Sequence, residues 1–199
     1  MIVGGVKIAG RKLVCWGLGL LLSSQALLVS AQAAEASLRV AFVYNFLKFI
    51  EWPAQTNVPV AENSAFSLCA VNAQGVTRDA LGQLANKSHQ SRPIKITYID
   101  LATELPDQIS RCQLLYVPTS GADFQLPQSF PSGVLLVVDE AHPDDGRVAI
   151  SLLRTADSRI EFVMNEAAIE RAGVKVSSQL RKLAKKPKHQ NSNTDGGRQ

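Results

Sequence analysis

Three short stretches, Phe66–Val71, Gln113–Val117 and Val134–Asp139, are apolar at nearly every position and not merely at alternate ones. A strand with one face in water alternates in polarity, so strands apolar on both sides must be covered twice. That restricts the chain to a layered α/β fold with a central, mostly parallel sheet. Ile94, Ile96, Tyr98 and Ile99, following Pro93, add another strand, and Val148–Leu153 and Arg159–Met164 add two more. In the last of these Ile160, Phe162 and Met164 alternate with Arg159, Glu161 and Val163, which suits a hairpin or a sheet edge. Thr155-Ala156-Asp157-Ser158 supplies its turn.

Helices fall between and around these strands. From Ala36 to Trp52, Val40, Val43, Tyr44, Leu47 and Ile50 recur at helical spacing, and Pro53 stops the run. Phe42, Phe46 and Phe49 make this helix apolar around most of its circumference, so it is either sandwiched in the core or laid against a partner. Residues 54–64 read as a polar loop. Thr77 is placed to cap a short helix through Ala85, with Asp79 in its first turn. Glu166–Ala172 forms another, ended by Gly173, and Ser177 or Ser178 caps a last one through Lys185. The expected architecture is a three-layer sandwich in one domain over 34–185: a mostly parallel central sheet flanked by helices, with an antiparallel hairpin near the C-terminus.

The first 33 residues belong to a different category. Lys7, Arg11 and Lys12 precede a leucine-rich stretch from Leu13 to Val29, and Ser30-Ala31-Gln32-Ala33 offers small residues for a signal peptidase. This is the pattern of a cleavable secretory signal, with Ala33 as the last residue removed. Gly17, Gly19, Ser23, Ser24 and Gln25 dilute the stretch relative to a membrane anchor, and Cys15 lies too close to Lys12 for lipid attachment. The expected location is the periplasm.

Export changes how charge and cysteines are read. The whole chain carries +4. The stretch from Arg181 onward holds six Lys/Arg against Asp195 alone, whereas Ala34–Leu180 holds twelve basic and sixteen acidic residues. An acidic body is a poor match for nucleic acid, which needs a basic face. The basic end, 186–199, reads as a disordered tail. Cys69 and Cys112 remain after export, and an even count in an oxidising compartment reads as a disulfide. The bridge would clamp the first strand to the entrance of the third, closing a loop of roughly 44 residues worth about 4 kcal/mol.

No GxSxG, GxxxxGK[ST], HExxH or CxxC is present, and His89, His142 and His189 are scattered away from the cysteines, so no metal or cofactor is expected. Asp139, Glu140, His142, Asp144 and Asp145 form an acidic cluster with one histidine at a strand end, where α/β proteins place ligands. Pro143 and Gly146 mark it equally as a solvated turn. A hydrolase using Asp139, Glu140 and His142 is the least favoured reading, and no enzyme activity is expected. The first helix is the better candidate: Asn45 and Lys48, three apart, share a face, with Glu51 and Trp52 at its end.

Two blocks carry a resemblance. Ala41-Phe42-Val43-Tyr44-Asn45-Phe46-Leu47-Lys48-Phe49-Ile50-Glu51-Trp52-Pro53 is similar to the opening motif of the YfiR family. Arg159-Ile160-Glu161-Phe162-Val163-Met164-Asn165, then Ala168 and Arg171–Leu180 with Leu183-Ala184, resembles that family's ending. The segment Asp145–Leu152 departs from the family's glycine-rich turn and strand, so no contact is carried over there. The resemblance adds Phe162 and Asn165 to the partner- or ligand-binding candidates, and it implies a strand-linking pair at Cys69 and Cys112. It implies a periplasmic negative regulator that holds the sensor domain of an inner-membrane diguanylate cyclase inactive. An OmpA-like outer-membrane lipoprotein would sequester it, and the output would be cyclic di-GMP and biofilm formation. A second copy of the chain is a further candidate partner. The alternative is a periplasmic small-molecule binding protein or sensor, motivated by the α/β sheet and the Asn45, Lys48 and Trp52 cluster.

Overall fold

A computed structural model of the chain describes residues 32–53 and 65–186. The expected leader lies outside these residues except for Gln32 and Ala33, which open the first helix; so do the polar loop 54–64 and the basic tail beyond Lys186. Helix α1 spans 32–47 and strand β1 is Ile50–Glu51. There follow β2 (Phe66–Val71), α2 (Gly75–Gly82), β3 (Ser88–His89), β4 (Arg92–Ile99), α3 (Leu105–Ile109), β5 (Leu114–Val117) and β6 (Leu135–Asp139). The described residues end with β7 (Ile150–Arg154), β8 (Ile160–Met164), α4 (Glu166–Ala172), β9 (Lys175–Val176) and α5 (Ser178–Leu183).

Seven strands form one sheet in the order β3-β4-β2-β5-β6-β7-β8. The five from β4 to β7 run parallel, with Leu68 level with both Ile96 and Leu114, and Val137 with Ile150. β8 returns antiparallel, Leu152 against Phe162, and β3 pairs antiparallel with the start of β4. The expected three-layer fold with a C-terminal hairpin is therefore present.

Right-handed crossovers dictate which face each connection covers. From β2 to β4 the chain steps one way along the sheet, and α2 lands on one face. From β4 the chain steps the other way, through β5, β6 and β7, so α3 and the loops after β5 and β6 land on the opposite face. The two cores follow. Leu105, Ile109, Phe124, Leu126 and Phe130 cover the face bearing Cys69, Val71, Leu115, Val117 and Leu136. The other face, bearing Phe66, Leu68, Leu114, Tyr116 and Val137, receives only α2 from the crossovers. The chain's two ends close the rest of it: α1 through Val40, Val43, Phe46 and Leu47, and the C-terminal elements through Ala168, Ile169, Ala172 and Leu180.

Several boundaries differ from those read in the sequence. The first helix ends at residue 47 rather than at Trp52. Lys48–Phe49 turn, and Ile50–Glu51 pair antiparallel with Val176 and Lys175, while Ser177 N–H donates to Phe49 C=O. The proline at 53 disfavours helix for the residue before it, and pairing with β9 satisfies backbone groups that a longer helix would leave open. Thr77 is not a cap: α2 starts two residues earlier, after Gln74, which makes no side-chain cap bond, and runs on into a 3-10 turn, Gln83–Asn86. Ser177 does cap α5, accepting from Leu180 N–H at 3.2 Å, and Gly173 ends α4 with φ +70°.

Candidate functional site

The two sequence blocks at opposite ends of the chain meet in space. Phe46 and Phe162 stack edge to face at 5.1 Å, with Phe42 at 6.3 Å from Phe162, and β1 pairs with β9. This junction, formed by the end of α1, β1, β9 and α5, carries Asn45, Lys48 and Glu51, whereas Asn165 lies apart from it at the start of α4. Asn45, Lys48 and Glu51 are exposed. Lys48 Nζ donates to Asn45 Oδ1 at 2.9 Å and lies 4.9 Å from the centre of the Tyr44 ring, so the pair is presented as one unit. Glu51 stands level with Lys175 across the two-stranded sheet. Phe162, by contrast, is buried in the core, and Asn165 caps α4, its Oδ1 accepting from Ala168 N–H at 3.3 Å and its Nδ2 donating to Gly146 C=O. Both are engaged within the fold.

Trp52 links this surface to the sheet. Its Nε1 donates to Gln113 C=O at 3.0 Å, and its ring meets Phe66 edge-on at 4.8 Å and His89 at 5.7 Å. Gln113 is a junction in itself: its Oε1 accepts from Ser67 N–H and Arg92 Nη2, and its carbonyl also accepts from Leu135 N–H. Just beside it, Cys112 is bridged to Cys69 of β2 with Cα atoms 5.7 Å apart. The disulfide thus staples β2 to the residues that lead into β5.

The acidic cluster does not converge. Asp139 is 4 % exposed; its Oδ2 accepts from Tyr116 OH at 2.9 Å and Thr119 N–H at 3.3 Å, and its Oδ1 faces Arg39 Nη1 at 3.4 Å. Arg39, also 4 % exposed, enters from α1, donates to Leu152 C=O and pairs with Glu35 and Glu140. Glu140 holds φ +52° and accepts from Arg154 N–H. Burial raises the Asp139 pKa above the usual carboxylate value despite the Arg39 charge, and raises that of the Tyr116 hydroxyl well above its own. Burial opposes the charge on Arg39, but the Glu140 bond and the charge of Asp139 outweigh it and its pKa rises. His142 points to solvent beside Asp144, and Asp145 is held by Arg147, whose hydrogen bonds keep that carboxyl below its usual range. A buried carboxylate sealed by tyrosine and arginine fastens a helix and is closed to substrate.

The strand order brings a second location into question. With parallel order 2-1-3-4-5, ligands in such folds sit outside the carboxyl ends of the two strands where the order reverses, here β2 and β5. In this chain that crevice is filled. Asn72 Nδ2 donates to Ser120 C=O and Ser120 Oγ donates to Asn72 C=O, both at 2.7 Å. Gly121 packs so closely that a Cβ there would stand 2.7 Å from Val71 C=O. A cleft does open at the other end of the sheet, about 190 Å³ in volume, with Val134, Leu136 and Ala168 among its walls and Arg147 and Arg171 at its rim.

Arg39 and the β1–β9 pair were not singled out from sequence. An arginine in an otherwise apolar helix stretch, Leu38-Arg39-Val40, was the signal available for the first. Two-residue strands leave no periodicity to read.

Among the described residues no helix is long and apolar enough to cross a membrane. A sequence comparison with curated proteins returns no match. A family profile described as YfiR/HmsC-like matches residues 36–185, well over half of the chain, from within α1 to just past α5. The chain belongs to the YfiR/HmsC-like family.

Proposed function

We propose that this chain is a periplasmic negative regulator that binds the sensor domain of an inner-membrane diguanylate cyclase and represses cyclic di-GMP synthesis. Membership of the YfiR/HmsC-like family supports regulation rather than catalysis. The observation that carries the reading to a surface is the union of both terminal blocks at β1 and β9, with Asn45, Lys48 and Glu51 displayed on it. The unit covering 34–185 acts after a leader, 1–33, is removed, and the bridge between Cys69 and Cys112 suits an oxidising compartment. Repression is a population shift: the regulator binds the inactive cyclase more tightly, by about 1.4 kcal/mol for each tenfold bias. Sequestration by an OmpA-like outer-membrane lipoprotein would relieve it by competing for the regulator. Deleting the gene is expected to raise cellular cyclic di-GMP, and complementation to lower it; unchanged cyclic di-GMP in the deletion strain overturns the reading.

One observation favours a second reading, a small-molecule sensor. The cleft beside Arg147 and Arg171 combines apolar walls with guanidinium groups, a setting for a small anion with an apolar body. Arg147 is already committed to Asp145 and to the carbonyls of Leu126 and Pro127, whereas exposed Arg171 reaches Gly146 C=O. A thermal-shift screen of nucleotides, amino acids and other small anions tests it; no stabilisation by any of them removes its support.

A further inference from the structure

His89 sits in a place that favours an uncharged imidazole over a charged one. It belongs to β3, a two-residue strand turned back onto β4 through Gln90 and Ser91, both with positive φ. The residue is 7 % exposed. It meets Phe66 at 4.8 Å and Trp52 at 5.7 Å, edge to face in both cases, and those two rings meet each other at 4.8 Å. The three rings form a closed aromatic triad at the sheet margin.

Among the described residues, no carboxylate is paired with the His89 imidazole. Trp52 from the end of β1 and Phe66 from β2 carry no charge, and neutral Gln113 is occupied by Trp52 and Arg92. The charged group that acts on His89 is Arg92 of β4, which bears the same sign. Burial first, and Arg92 second, hold the imidazole below its ordinary pKa. Protonation therefore sets a second positive charge in a dry aromatic seat, and the outlet is rotation of the ring into water.

Trp52 transmits the consequence. It is the residue next to β1, and its seat against Phe66, His89 and Gln113 C=O anchors that strand's end. β1 carries Glu51 and aligns with Lys175 of β9. We propose that His89 is a proton-operated clasp on Trp52: on protonation it leaves the triad, frees Trp52, and loosens β1 on the partner surface. The clasp stands on the triad's geometry, its burial and the like charge of Arg92, and its effect on cyclase binding rests on the function proposed above.

Trp52 reports directly. The chain has two tryptophans, so a Trp16→Phe background makes Trp52 the sole one whether or not residues 1–33 are retained. Emission and far-ultraviolet circular dichroism would be followed from pH 8 to pH 4.5 in this background, with and without His89→Phe and His89→Gln. The expected result is a reversible change in Trp52 emission, with a midpoint below about 6.5, unchanged secondary structure, and loss of the change in both variants. A flat emission curve, a change that persists in the variants, or one that coincides with loss of secondary structure overturns the clasp. With the periplasmic domain of the cyclase, affinity should fall about threefold or more from pH 7.5 to pH 5 in the parent and stay constant in His89→Phe, since one unit of differential pKa answers to a tenfold change. Affinity that ignores pH while the emission change occurs overturns the link to β1. Absence of binding at every pH overturns the proposed function instead, and leaves the emission result to decide the clasp.

Discussion

Replacing Arg39 with methionine should expose how α1 is fastened. Methionine keeps most of the apolar stem's volume but removes the guanidinium that faces Asp139 Oδ1 at 3.4 Å and donates to Leu152 C=O. Asp139, with its side chain 2 % exposed, is then a buried carboxylate left with Tyr116 OH and the N–H and hydroxyl of Thr119 as its donors among the described residues. Breaking a buried pair from one side costs about 3–5 kcal/mol, because the partner charge stays behind. Glu35 and Glu140 are partly solvated and add little to that. The double variant Arg39→Met, Asp139→Asn removes the stranded charge and retains an acceptor for Tyr116, so it should recover at least about 2 kcal/mol of the loss. The penalty should also depend on pH. Asp139 already has a pKa above the usual carboxylate value through burial, and Arg39 is the main group pulling it back. Without Arg39 it rises further. A carboxyl whose folded pKa exceeds its unfolded one is stabilised by taking up a proton, so the folded state gains on the unfolded as pH falls through the folded value. Urea unfolding followed by circular dichroism at pH 8 and pH 5 measures this, and the cost of Arg39→Met should be smaller at pH 5. A cost below about 1 kcal/mol at pH 8, or a double variant no more stable than the single, refutes the reasoning.

Replacing both Cys69 and Cys112 with alanine opens a loop spanning a sequence separation of 43 and should cost about 4 kcal/mol. For a domain of this size that is a melting temperature lower by about 8–16 °C, read by calorimetry, and an unchanged temperature would show that the bridge adds no stability. Gly121→Ala drives a Cβ to 2.7 Å from Val71 C=O and should cost about 1–3 kcal/mol by chemical denaturation, because the turn must lift off β2. Removing the α5 cap with Ser177→Ala should cost about 1 kcal/mol in the same assay.

The sheet was legible because its strands are apolar on both sides, and Phe66–Val71 and Leu135–Asp139 lie within the stretches the pattern marks. The hairpin was legible because β8 alternates, with Ile160, Phe162 and Met164 buried and Glu161 and Val163 half-buried. What escaped is what tertiary contacts decide. Phe49 and Ile50 have the apolar spacing of a helix, yet β9 offers Ile50 a backbone partner, and a two-residue strand replaces the last turn. At the candidate site, the hydrogen-bonded Asn45 and Lys48 pair follows from three-residue spacing on one helix. Phe162 and Asn165 belong to the same sequence block, but motif membership does not tell a core aromatic or a helix cap from a contact residue. Asp139 looked like part of a solvated turn, since no local pattern announces an arginine arriving from a helix a hundred residues earlier.

On the proposed function, the surface that joins α1 and β1 to β9 and α5 is what a cyclase sensor domain grips. Titration calorimetry between the purified chain and the periplasmic domain of a membrane diguanylate cyclase from the same cell, repeated with Lys48→Glu, tests this. Saturable binding by the parent is expected, with a loss of about tenfold or more, equivalent to 1.4 kcal/mol, in a variant whose melting temperature is unchanged. No binding by the parent, or equal affinity in the variant, contradicts it.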